Sequence, residues 1–232
     1  EDVLIRLTLT NQGPDSAELH LLPSLWFRNT WEWGRNEEPD NGRPSLCLQD
    51  DLLVSSDVAG LGSYGLSCSE TGTWLFTENE TNTQRLYNQP LKQPYVKDAF
   101  HRYLIEKQAD AVNPDQTGSK AALHLQRRLR PGEIWQVDLR LCRRDMGDRS
   151  TSTGLELTSV NALIEQRRQD WQDHLHWVAP GLNEEDRAIH TAAAAGLFWC
   201  RKFYNWYVAR WLRGDSNSAK PPEQRWHTDN AY

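Results

Sequence analysis

The chain opens on a strict alternation. Val3, Ile5, Leu7 and Leu9 fall on one side of residues 2–10, and Asp2, Leu4, Arg6 and Thr8 on the other. A period of two marks a strand, and this one predicts a single strongly buried face. Asn11-Gln-Gly-Pro14 then turns the chain. Alternation resumes from Glu18 to Asn29 with Leu19, Leu21, Leu25 and Phe27, and Pro23 inside it predicts a bulge or an edge. Short strands follow at Leu46 to Val54, Ser63 to Cys68 and Thr73 to Thr77. Ala121 to Leu129 and Ile134 to Cys142 flank Arg130-Pro-Gly-Glu133, a hairpin-type turn signal. Many short antiparallel strands with Gly/Pro turns predict a β-sandwich. Residues 78–120 show little regular pattern, with a helical turn expected within Tyr95 to Glu106.

After about residue 154 the period changes. Leu157, Val160, Leu163 and Ile164 take helical spacing, which runs on through Trp171 and Leu175 to a break at Pro180-Gly181. Asn183 has the chemistry of an N-cap, with acidic residues in the turn after it. A helix is then expected from Glu184 to Arg213, ended by Gly214. Its apolar face, from Ile189 through Leu197 and Phe203 to Trp211, is broad enough to need partners on several sides.

Composition narrows the classes. The net charge of −6 argues against a nucleic-acid partner held through phosphates. Arg127, Arg128 and Arg130, like Arg140, Arg143 and Arg144, read as solvated strand and loop positions. No run of apolar residues is long enough for a membrane span. Cys47, Cys68, Cys142 and Cys200 are scattered, without a C-x-x-C pair, and read as reduced core thiols. The 11 tryptophans are expected to be mostly core, with stacking on sugar faces as the functional alternative. Glu1 stands where a Met would begin a protein, and no finishing element follows Gly214, so the expectation is a piece of a larger protein, placed in the cytoplasm.

Motifs carrying chemistry are few. Gly60-Leu-Gly62-Ser-Tyr-Gly65 matches a dinucleotide fingerprint, but that needs a helix after it, and Leu66-Ser-Cys-Ser reads as strand. His174 and His176, two apart, point to different helix faces and make a poor metal pair. Thr77-Glu-Asn-Glu-Thr-Asn82 is the densest polar cluster. Glu78 and Glu80 could share one strand face at about 7 Å, a separation within the range that glycoside hydrolysis needs for its two carboxylates. The alternative is a polar loop that caps its own turns. Asp98 and His101 lie three apart, which is either a polar edge toward a substrate or next domain, or an Asp–His pair steadying a loop.

Several strings then fall in one order: Leu22-Pro-Ser-Leu-Trp-Phe-Arg-Asn-Thr-Trp-Glu-Trp-Gly34, Leu75-Phe-Thr-Glu-Asn-Glu-Thr-Asn82, Pro94-Tyr-Val-Lys-Asp-Ala-Phe-His101, Ala109-Asp-Ala-Val-Asn-Pro114, Gly118-Ser-Lys-Ala-Ala122, and Phe198-Trp-Cys-Arg-Lys-Phe-Tyr204 with Arg210-Trp-Leu-Arg-Gly-Asp215. Together they resemble the bacterial glucosidase-like proteins related to glycoside hydrolase family 63. The resemblance implies an antiparallel β-sandwich over 1–150, a linker helix over 151–182, and over 183–232 the start of an (α/α)6 barrel whose catalytic carboxylates come later. It implies an inverting hydrolase acting on α-glucosides without metal or organic cofactor, this piece being inactive alone. Its partners would be an oligosaccharide or glucoside substrate and its own downstream catalytic domain, with neither nucleic acid nor membrane. No catalytic residue is assigned here. Candidate substrate-binding residues are Glu78, Glu80, Asn82, Asp98, His101, Lys202 and Tyr204. Relatives often carry an acidic residue just after Tyr204, where this chain has Asn205-Trp-Tyr207. The alternative function is a non-catalytic carbohydrate-binding or structural β-sandwich module.

Overall fold

A computed structural model describes residues 2–33, 43–49, 52–56, 61–144, 157–201, 208–213 and 222–224. The chain divides into two compact units, Glu1–Glu32 with Glu37–Val160, and Trp33–Asn36 with Asn161–Tyr232.

The first unit is antiparallel β with short helices. Among the described residues, ten strands run in the order β1 (Asp2–Thr10), β2 (Ala17–Leu21), β3 (Ser24–Trp26), β4 (Leu46–Gln49), β5 (Leu52–Ser55), β6 (Ser63–Cys68), β7 (Thr73–Thr77), β8 (Thr117–Gly118), β9 (Lys120–Leu129) and β10 (Ile134–Arg144). A six-stranded sheet has the order β1-β10-β6-β5-β4-β8. In the second sheet β9 is central: β2 and β3 pair with it along one edge and β7 along the other. Pro23 separates β2 from β3, and its carbonyl still accepts the Leu123 N–H at 3.0 Å. The expected edge is therefore there, made of two short strands instead of one long one.

The turn at Arg130–Glu133 forms, with the Glu133 N–H on the Arg130 carbonyl at 3.0 Å. It does not make a hairpin, because β9 and β10 belong to different sheets. Leu123, Leu125 and Leu129 of β9 instead meet Trp135 and Val137 of β10 in one buried cluster. Two strands with one apolar face each gain more by facing each other across a core than by pairing side by side. A second cluster joins Leu46, Leu53, Leu66 and Leu139 of the large sheet to Phe76 and Ala121 of the small one. Each buried aliphatic or aromatic side chain contributes about 1.5–3 kcal/mol.

Three sequence expectations change here. Val3 and Ile5 are 54% and 40% exposed, so β1 is not buried along a whole face. It is the outermost strand of its sheet, and only Leu7 and Leu9 reach the core clusters. The tryptophans are not mainly core: among the described residues Trp135 is buried, whereas Trp26, Trp177 and Trp199 are exposed. Cys47, Cys68 and Cys142 are half-buried free thiols of the large sheet, but Cys200 is exposed. Burial raises the Cys68 thiol above its ordinary range, and backbone hydrogen bonds from Glu70 and Ser69 offset part of the rise.

The irregular stretch holds α1 (Thr83–Tyr87) and α2 (Ala99–Leu104), the latter inside the span where a helical turn was expected, and a single 3-10 turn at Ala109–Ala111. Phe100 of α2 packs on Leu75 and Ala122, on the side of the small sheet away from the main core.

The second unit takes α3 (Leu157–Val178) from Asn161 onward and α4 (Glu184–Trp199), joined through the break at Pro180-Gly181. Asn183 caps α4 as its chemistry predicts, its side chain accepting the Asp186 N–H at 2.9 Å. The expected single helix to Arg213 is not continuous: α4 ends at Trp199, and α5 spans Val208–Arg213. Cys200 and Arg201 are not helical, and residues 202–207 of the expected helix lie outside the described residues. Trp171 and Phe198 meet edge to face at 5.5 Å. Ile189, Leu197, Phe198 and Trp199 remain exposed. No described helix is long and apolar enough to cross a membrane.

Candidate functional site

Two polar clusters stand out in the β-rich unit. The first grows from the end of β7. Thr77 is fully buried, and its hydroxyl donates to the Val96 carbonyl at 2.7 Å. The Glu78 N–H bonds the Tyr95 carbonyl and the Lys97 N–H bonds the Glu80 carbonyl, each at 2.9 Å, so residues 78–80 run against 95–97. Asn79 donates its side-chain amide to the Phe27 carbonyl at 2.8 Å, and its own carbonyl accepts from Asn29 at 3.0 Å.

That backbone aims both glutamates at one guanidinium. Arg43 Nη2 lies 2.8 Å from Glu78 Oε2 and 2.5 Å from Glu80 Oε1. Glu78 Oε2 also accepts from the Ser119 N–H at 2.9 Å and the Ser119 hydroxyl at 2.5 Å. Glu80 is 5% exposed, and its Oε1 accepts the Trp31 indole N–H at 3.0 Å. The Arg43 guanidinium covers the Trp31 ring at 5.3 Å. The two carboxylate oxygens thus lie within about 5 Å, closer than the separation an inverting pair needs to admit its water. Arg43 stands between them and contacts both. Glu80 is buried and Glu78 half-buried, and each is ion-paired and hydrogen-bonded, as a carboxylate taken out of water must be.

Asn82 and Asp98 extend the cluster. Asn82 caps α1, its oxygen accepting the Arg85 N–H at 3.0 Å, and its amide donates to Asp98 at 3.0 and 3.2 Å. Arg85 pairs with Asp98 at 3.3 Å. The expected Asp98–His101 side-chain pair does not form. The His101 backbone N–H bonds the Asp98 carbonyl at 3.1 Å, while its ring is on an exposed residue. Asp98 immediately precedes α2, so its carboxylate turns back to Asn82 and Arg85. Lys202 and Tyr204 lie outside the described residues. Of the seven candidates, the structure brings Glu78 and Glu80 together around Arg43, and Asn82 with Asp98 beside Arg85.

The second cluster was not anticipated. An open cavity of about 340 Å³ is lined by Glu18 and His20 of β2, His124 and Gln126 of β9, Tyr103 and Leu104 of α2, and Lys107 and Ala109. His20 Nδ1 and His124 Nε2 are 2.8 Å apart, and the rings tilt by only 17°. The Tyr103 ring meets His124 edge-on at 6.4 Å. Lys107 has φ of 58°, a left-handed backbone that is uncommon outside glycine. His124 sits below the ordinary imidazole range, first because it is desolvated and then because His20 and Lys107 lie near. The sequence holds only a faint sign of this grouping, the period-two faces of β2 and β9, because the partners are 104 residues apart.

Two other motifs resolve simply. Gly62, with φ of 84°, leads into β6, so no helix follows the Gly-rich string and the dinucleotide fingerprint lacks its context. His174 lies between Trp171 and Trp177, and His176 meets Arg187 at 3.2 Å. Among the described residues no group of three or more metal-ligating side chains exists.

Fold and clusters together define an antiparallel β-rich domain with a helical segment, carrying a closed ion-pair knot and an open His-lined trough. No family model matches the chain. It is 30% identical over 252 aligned positions to an uncharacterized protein of Saccharomyces cerevisiae, in an alignment that takes in 95% of this chain. The chain spans 23% of the length of that relative.

Proposed function

We propose that this chain is the β-rich supporting part of a larger inverting glycoside hydrolase acting on α-glucosides, related to family 63. Its acid and base carboxylates lie outside these 232 residues. The observation that carries this is Arg43 between Glu78 and Glu80: the most glycosidase-like carboxylate pair in the sequence is committed to holding a loop. The ordered run of motifs supports the family assignment, and a relative several times longer than this chain is consistent with chemistry housed elsewhere. In this reading the two sheets are the sandwich. The exposed Ile189, Leu197, Phe198 and Trp199 of α4 point to several sides of the helix and are the apolar surface on which further barrel helices would pack. The intact enzyme would protonate the glycosidic oxygen with one carboxylic acid while a second carboxylate activates water.

The test compares this chain with the longer protein that contains it, on nitrophenyl α-glucoside and on α-linked glucose disaccharides. Hydrolysis by the longer protein alone, with inversion at the anomeric carbon, is expected. Hydrolysis by the 232-residue chain would overturn the placement of the carboxylates. A folded longer protein that cleaves no α-glucoside would overturn the substrate class.

A further inference from the structure

We infer that the His20–His124 pair is a proton-sensitive latch that holds the edge strand β2 onto β9 and sets the charge of the cavity it lines. The inference stands on geometry. The two ring nitrogens are 2.8 Å apart with the rings nearly parallel, so one ring donates and the other accepts. β2 is five residues long and pairs only with β9 among the described strands, in a register that sets His20 opposite Gln126. The latch therefore acts on a short strand whose other ties are its ladder with β9, the Gln126–Glu18 hydrogen bond and the packing of Leu19 and Leu21 on the core.

Proton count decides its state. The neutral pair has one N–H facing one lone pair and is satisfied. One added proton leaves an imidazolium donating to an imidazole, a charge-assisted bond. A second proton puts N–H against N–H and two positive charges at the same contact, so the rings must part.

The surroundings resist that second proton. Lys107, from the segment after α2, adds positive charge in the cavity, and Arg128 stands opposite Glu18 in the β2–β9 register. Tyr103 of α2 contributes a ring edge. Glu18 is the one carboxylate lining the cavity, and it already accepts from the Gln126 amide. Desolvation of His124 acts in the same direction as Lys107. As pH falls the cavity gains positive charge, and then β2 loosens from β9.

Amide hydrogen exchange across pH, read with the histidine ring resonances of the labelled chain, tests this. The β2 amides, corrected for intrinsic rate, should exchange roughly tenfold faster at pH 5 than at pH 7, the effect of one pK unit of linkage. The amides of β1 and β10 should change far less, and the two rings should titrate in separated steps. His124→Gln keeps a polar partner for His20 but removes the proton, and it should abolish the β2-specific change. His20→Gln, at an exposed position, should do the same and serves if the first variant folds poorly. Two independent titrations at ordinary values, or the same β2 loosening in a folded His124→Gln or His20→Gln chain, would overturn the latch.

Discussion

The knot at Arg43 and the trough at His124 are both polar, and both lie in the β-rich unit, yet they are built in opposite ways. In the knot one guanidinium nitrogen serves two carboxylates, and Ser119 and Trp31 take up the same two acceptor oxygens. In the trough the side chains line open space, and a single hydrogen bond joins its two rings. The difference teaches that polar density along a sequence marks where backbone must be tied down. It does not mark where a ligand can enter.

Substitutions should separate the two. The largest effect is expected for Arg43→Met, which leaves Glu80 buried on the Trp31 N–H without its counter-ion. A loss of about 3 kcal/mol is expected from breaking a largely buried pair, read by chemical denaturation. A change below the error of that measurement would mean that the knot does not hold the fold.

Gly118→Ala comes next. A Cβ at that position would run into the Thr77 carbonyl, with the Thr77 carbonyl carbon only 2.9 Å away. Backbone cannot step aside as a long side chain can, so about 2 kcal/mol of destabilisation follows from overpacking. It should also loosen the adjacent Ser119–Glu78 contacts, visible as faster exchange at Ser119.

The trough should answer to pH where the knot answers to substitution. The folded His124 lies below the ordinary imidazole value. Between its lowered value and about 6.5 the unfolded chain therefore binds more protons than the folded one. Stability should be flat above that window and fall as pH drops through it, and His124→Gln should flatten the curve. The smallest effect belongs to His20→Ala at neutral pH. It removes a neutral bond at an exposed site, and a loss below about 1 kcal/mol is expected.

Much of the first unit was legible in the sequence. Period-two runs marked most of the strands and Pro23 marked the broken edge, although Leu46 to Val54, read as one strand, is the antiparallel pair β4 and β5; in the second unit Asn183 marked the start of α4. What sequence could not carry was pairing. The turn at Arg130–Glu133 looks like a hairpin locally, and only the second apolar face across the core sends β9 and β10 into separate sheets. Val3 and Ile5 follow the same rule: alternation says which residues share a face, and not whether that face is covered. Glu78 and Glu80 were legible as a pair, but their shared partner Arg43 is more than thirty positions away and in no motif. The trough joined residues from β2, α2 and β9, and no local pattern could have assembled them.

The central claim is that the Glu78–Glu80 pair supports structure while the chemistry lies outside this chain. The most direct measurement is kcat/KM for α-glucoside hydrolysis by the longer protein carrying Glu78→Gln with Glu80→Gln, alongside its thermal melt. The account predicts a lowered melting temperature, with kcat/KM of the folded enzyme within about threefold of the parent, since no transition-state contact is removed. A fall of about a thousandfold or more in a protein that still melts cooperatively, as loss of a catalytic carboxylate would give, would contradict it.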